Sequence, residues 1–291
     1  MITILINKVS INLSDLTMKT IVVATDFSPN ANQAAQFAGQ LAKDQNAKLI
    51  LVHAYQVWPD NPAKTGDFPL SVDDTRENSE KSLRRLADDL SEVIGADVPI
   101  RCIAQEGHAM SIICSVTKAE DADLLIMSTV GTAPQSTQLM GSLATEMVAE
   151  TEVSLLLIPP DSTYTGVKTL VLGIDLTASP NAVVLDTALS FARSFGSVIN
   201  VLCISDNPND ADTRRQAEHI RHLLSQQQQP HTLTMKAGEE IYDTLLDFAH
   251  SNKADLIMML PQMRNWLQKL ISEGETQRMA RLTDLPLLAV V

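Results

Sequence analysis

The chain has 291 residues, of which 45% are apolar and only 4% aromatic. Its length suits about two domains of the usual ~100–200 residues, with cores built from Leu, Ile, Val, Ala and Met. A formal net charge of −13 argues against general binding to nucleic acid or anionic membranes, which need a basic footprint, and no apolar run approaches the ~18 residues of a membrane span.

Residues 1–17, "MITILINKVSINLSDLT", lack a basic start, a long apolar block and a small-residue cleavage site, so they do not read as a signal peptide. They form an N-terminal extension: an extra strand, a disordered arm or an upstream start. Met18 opens a more natural domain start. "TIVVATDFSPN" (20–30) predicts a strand at 20–25 with Asp26 following it, then Ser28 as a helix N-cap and Pro29 in the first turn. Ala34, Phe37, Ala38, Leu41 and Ala42 keep helical spacing. A strand at 48–54 follows. The Pro-rich stretch 57–74 reads either as a flap or as a plain connector. Leu83, Leu86, Ala87, Leu90 and Ile94 mark a second helix, and 98–105 a third strand. His108, at the next strand–helix junction, offers a phosphate contact or an ordinary helix start. The fourth strand, "ADLLIMS" (122–128), runs into "STVGTAPQSTQLMGS" (128–142), which holds two glycines, six Ser or Thr residues and no charge. That loop either wraps a phosphate or only connects a strand to a capped helix. A helix, "LATEMVAE", and a strand at 153–158 close this half, and "PDSTYTGV" (160–167) reads as a linker.

The pattern then repeats. "TLVLGIDLTASPN" (169–181) echoes the first strand and cap, "ADLIMML" (254–260) the fourth strand, and "TDLPLLAVV" (283–291) the last. From Ala122 onward the copies align without a gap at an offset of 132, and "EGHAM" (106–110) meets "AGEEI" (237–241). In copy two Ile241, Leu245, Phe248 and Ala249 keep helical spacing. The expected domains are 18–159 and 168–291. Near-continuous apolar strands alternating with amphipathic helices predict two tandem doubly wound α/β domains, each with a five-stranded parallel sheet. Such sheets take ligands beyond the carboxyl ends of their strands, at the switch in strand order.

Asp26 after the first strand, "ADLLIMSTVG" at the fourth, and Gly131-x9-Gly141-Ser142 entering the last helix resemble the universal stress protein family, in its tandem form. The resemblance implies a Rossmann-like fold of the adenine nucleotide alpha hydrolase type. It also implies that the two last strands, which would be exposed edges, pair antiparallel to make an intrachain pseudo-dimer. Any further homodimer would use another surface. The family's motif is Gly-x2-Gly-x9-Gly-Ser/Thr, and this chain carries Ser128 in place of the first glycine. By resemblance, Asp26 and Val52 line the adenine and ribose side, with Met127 beneath. Gly131, Gly141, Ser142, Leu143 and Ala144 complete a phosphate cradle at a helix start. Residues 129–150 contain no Lys or Arg, so backbone donors or a divalent ion such as magnesium would balance a triphosphate.

In copy two Leu260, Met263 and Glu273 stand where Ser128, Gly131 and Gly141 stand, and Gly274 falls on the register of Ser142. Asp175 survives. Trp266, Leu267 and Leu270 offer a surface for packing or for a protein partner. His219 and His222, beside Glu218, read as a solvated helix face, since a zinc site would need a third ligand. The three cysteines, Cys102, Cys114 and Cys203, have no metal-like spacing and read as buried thiols of a reduced cytoplasmic protein. The leading functional reading is a cytoplasmic stress-response protein that binds ATP or a related adenine nucleotide through its first domain. Nucleotide-independent scaffolding is the alternative. Slow ATP hydrolysis ranks last, because no base or cationic transition-state group is evident. Gly141→Glu, which imitates copy two, is expected to abolish nucleotide binding without unfolding the chain. Calorimetry on the variant checks it, and ATP binding equal to the parent's would leave the loop a mere connector.

Overall fold

The computed structural model describes residues 18–57, 72–131, 142–176, 182–205, 207, 209–226, 230–237, 241–260 and 284–291. The N-terminal extension, residues 58–71, the Ser-Pro-Asn of copy two at 179–181, and 261–283 with Trp266, Leu267 and Leu270 lie outside them. The first half runs β1 (Thr20–Ala24), α1 (Pro29–Gln45), β2 (Lys48–Tyr55), α2 (Val72–Ile94), β3 (Ile100–Glu106), α3 (Ala109–Ala119), β4 (Leu124–Ser128), α4 (Ser142–Glu150) and β5 (Leu155–Ile158). The second runs β6 (Thr169–Asp175), α5 (Ala182–Phe195), β7 (Val198–Ser205), α6 (Ala211–Ser225), β8 (His231–Ala237), α7 (Ile241–Ser251), β9 (Leu256–Met259) and β10 (Leu287–Ala289).

The ten strands form one sheet in the order β3-β2-β1-β4-β5-β10-β9-β6-β7-β8. Within each half every pairing is parallel. At the centre β10 pairs antiparallel with β5, matching Leu287 with Leu157, Leu288 with Leu156 and Ala289 with Leu155. The two doubly wound sheets therefore meet through their last strands, as expected. Strand residues alternate between faces, with the period of two that a pleated sheet imposes. Ile21, Val23, Leu156 and Leu288 pack on the side of α1, α2, α5 and α6. Val22, Ala24, Leu155 and Leu287 pack on the side of α3, α4 and α7. Each of these apolar layers runs through both halves, so the halves share their core.

Local chemistry fixes the element ends. Ser28 caps α1, its hydroxyl accepting from the Ala31 amide at 3.2 Å with Pro29 in the first turn, and Asn46 ends the helix in the left-handed region (φ 53°). Strand β3 starts two residues later than expected, since Pro99 has no amide to donate. Its carbonyl still accepts from Leu49 at 2.8 Å. Strand β4 starts after Asp123, whose carboxylate takes the amides of Lys19 (2.7 Å) and Thr20 (2.8 Å). Asp255 does the same for Lys168 (2.8 Å) and Thr169 (2.9 Å). The repeated Ala-Asp is thus a structural clasp holding the start of β1 or β6. The offset of 132 holds between α3 and α7, but β3 and β8 stand 131 apart. The extra residue of copy two therefore falls between Ala237 and Ile241, one position beyond where the sequence pairing "EGHAM" with "AGEEI" placed equivalence.

The linker lies along α1. Gln33 donates its amide to the Ser162 carbonyl (2.9 Å) and accepts from the Asp161 amide (3.0 Å), while Phe37 meets Tyr164 edge-on at 5.1 Å. Burial, reinforced by Asp44, pushes the Tyr164 phenol far above its usual range. Gln45 donates to the Ser194 carbonyl of α5 at 3.1 Å. A chain ending after Asp161 would keep β5 but lose β10, leaving an apolar edge. That fragment is expected to dimerise or aggregate in analytical ultracentrifugation. A soluble monomer at high concentration would remove the support for an interface driven by β5.

Candidate functional site in the first half

Strand order reverses beside β1, which has β2 on one side and β4 on the other. Beyond their carboxyl ends lies a cavity of about 200 Å³. Its geometry begins one residue past β1, where the Thr25 amide still bonds the Val52 carbonyl at 2.9 Å. The chain then turns sharply. The Phe27 amide donates to the Thr25 hydroxyl and the Ser28 amide to Asp26 Oδ1, both at 3.0 Å. Phe27 itself is left-handed (φ 62°), a conformation that non-glycine residues adopt only when their surroundings enforce it. Its ring rests on His53, with centroids 4.4 Å apart. His53 Nδ1 lies 2.8 Å from the Thr25 carbonyl. A carbonyl only accepts, so Nδ1 carries the proton, and in the neutral ring Nε2 is left as an acceptor.

From β4, the Ser128 hydroxyl donates to the Val130 carbonyl at 2.9 Å, and the Thr129 amide to the Ile158 carbonyl at 3.0 Å. The Thr129 hydroxyl is buried without a partner among the described residues. The chain next brings Gly131 against Asp26. A Cβ on Gly131 would stand 2.6 Å from Asp26 Oδ2, so the carboxylate occupies the space a side chain would need. Here glycine is required by close approach.

Of the residues expected at the site, Asp26, Val52, Met127, Ser128, Gly131, Leu143 and Ala144 all line this cavity. Gly141 and the Ser142 side chain lie outside the described residues. Sequence reasoning missed Thr25, Ala31, His53, Ala54, Ala109 and Ile113, which also line it. His53 reads as one more residue of an apolar strand. Its signal is its place directly after Val52, at the end of a strand flanking the switch point. Ala109 and Ile113 arrive on α3, whose approach only the fold reveals. His108 is the N-cap of α3 but makes no side-chain capping bond and is not part of the lining. Gly107 (φ 146°) precedes it, donating its amide to the Tyr55 carbonyl at 2.9 Å.

In the second half Leu260, at the register of Ser128, is buried in the core, and the Asp175 side chain lies outside the described residues. On α6, His222 Nε2 meets the Gln226 amide nitrogen at 3.0 Å, and Glu218 pairs with Arg221. No group of three or more potential metal ligands occurs among the described residues. Of the cysteines, only Cys203 is fully buried, its thiol pushed up to about 12 by burial. Cys102 and Cys114 are half-buried, so the expectation of buried thiols holds for one of the three.

The fold and this cavity define a tandem doubly wound α/β protein with a ligand-sized cleft at the switch point of its first half. The universal stress protein family model matches residues 17–159 and again 166–290. A universal stress protein of Thermus aquaticus is 31% identical over 140 residues, covering 48% of this chain and 98% of that protein. One of Methanocaldococcus jannaschii is 25% identical over 142 residues, covering 48% and 81%. A solved universal stress protein from Archaeoglobus fulgidus shares the fold over 94% of this chain and 96% of its own, with a TM-score of 0.70 at 14% identity. The chain belongs to the universal stress protein family.

Gly131→Ala is expected to cost about 1–3 kcal/mol in urea denaturation, because the carboxylate is held by the Ser28 amide and yields poorly. Placing the same change on an Asp26→Ala background should remove most of the added cost. An equal penalty on both backgrounds would place the strain elsewhere.

Proposed function

We propose that this protein is a binding-driven stress-response protein, active in the cytoplasm, whose first domain (18–159) takes an adenine nucleotide in the cavity beyond β1, β2 and β4. The observation that carries this reading is convergence. Residues drawn from three strand ends and three helix starts, several of them positions of a recognisable nucleotide motif, line a single cavity at the switch point. The residues present fit such a ligand. Val52, Ile113, Met127 and Ala109 offer apolar walls for a purine, and Gly131 lets the backbone come close against the Asp26 carboxylate. When bound, the nucleotide would alter a surface read by a protein partner. Magnesium would accompany a polyphosphate.

The second domain (168–291) acts as a scaffold. Its buried Leu260 replaces a hydroxyl at the corresponding strand end, and Glu273 brings negative charge to the corresponding motif position. Among the described residues no helix is long and apolar enough to cross a membrane. Isothermal titration of the full chain with AMP and ATP, each with and without magnesium, is expected to give one saturable site per chain. Two equivalent sites would overturn the division of labour between the halves, and the absence of saturable binding would overturn the nucleotide reading.

A further inference from the structure

Resting on that reading, we infer that the cavity selects an adenine nucleoside or its monophosphate over a triphosphate, and that Asp26 and His53 set the preference. Three of the polar side chains on its wall, Asp26, His53 and Ser128, are supplied as acceptors, while the Thr25 and Thr129 hydroxyls keep a proton to give. Asp26 contributes a carboxylate, positioned by the Ser28 amide on Oδ1 and facing the Gly131 backbone through Oδ2. His53 gives its Nδ1 proton to the Thr25 carbonyl, so whenever the ring is neutral Nε2 can only accept. Ser128, at the motif position where a glycine would leave bare backbone, has turned its hydroxyl proton to the Val130 carbonyl. What remains on that oxygen is lone-pair density.

These three acceptors suit a ligand that brings donors, namely an exocyclic amine and ribose hydroxyls. They are poorly matched to phosphate oxygens, which are themselves acceptors and carry charge of the same sign as Asp26. The lining residues Thr129, Gly131, Leu143 and Ala144 carry no cation, and the sequence from 129 to 150 contains neither Lys nor Arg. Backbone amides near the start of α4 can serve one phosphate. Each further phosphate adds negative charge to a chain whose net charge is already −13.

The test is competitive calorimetry on the full chain at fixed ionic strength, with adenosine, AMP, ATP and magnesium–ATP as probes. Adenosine and AMP are expected to bind at least about tenfold more tightly than either form of ATP, the scale of one partly screened like charge. Asp26→Asn keeps an acceptor for the Ser28 amide, and is expected to narrow that ratio several-fold toward ATP. His53→Lys, which substitutes a cation for an acceptor, should move it the same way. If magnesium–ATP binds most tightly to the parent, the selectivity inference falls while the nucleotide reading stands. If no adenine compound binds saturably, both fall. An unchanged ratio in both folded variants would overturn the role given to Asp26 and His53.

Discussion

Everything in this molecule hangs on the pairing of β5 with β10. A parallel sheet needs both faces covered and both edges dealt with, and in each half the last strand would otherwise present unpaired amides and carbonyls flanked by leucines. Joining the two edges satisfies the backbone groups of both strands. It also brings Leu155, Leu156 and Leu157 of one half against Leu287 and Leu288 of the other, all of them buried. The apolar layers on either side of the sheet then continue across the junction. Because the pair is antiparallel, strand direction reverses there. The carboxyl ends of the first half lie at one end of the sheet and those of the second at the opposite end, so a ligand site in one half is built without the other.

The two halves also show which repeated residues the fold requires in both copies and which it does not. Asp123 and Asp255 look alike in sequence and do the same work, each holding two amides at the entrance of a central strand. That clasp is retained in both copies, as are the strand spacing and the alternation of faces. By contrast, the register of Ser128 holds a hydroxyl in one half and the core residue Leu260 in the other. A strand end can turn from cavity wall to core at little structural cost, because the sheet beneath it is unaffected.

Much of this was legible in the residues themselves. Continuous apolar runs separated by helical periodicity gave the alternation of strands and helices in each half, and the family resemblance implied the junction through the two last strands. Asp26, Val52 and Met127 were named through the family resemblance, and all three line the cavity. What escaped was set by side chains competing with the ladder. Proline at position 99 and the carboxylate of Asp123 delay their strands, and the Thr151 hydroxyl, bonded to the Val153 amide at 3.1 Å, turns the chain before β5 can begin. His53 escaped for a different reason. Periodicity records which face a residue occupies, whereas its setting depends on Phe27, in an unusual backbone conformation, and on the Thr25 carbonyl just past β1.

The linker that carries Asp161, Ser162 and Tyr164 across α1 changes the rules under which such a protein can diverge. In a symmetric dimer of separate chains every substitution appears twice, so a change that spoils one ligand site spoils its mate. With both halves in one covalent chain, the interface forms at a fixed effective concentration and each residue is encoded once. Symmetry of the framework can be kept while symmetry of the surface is abandoned. One half can be held to the demands of recognition while its twin drifts under the single obligation of presenting a matching edge.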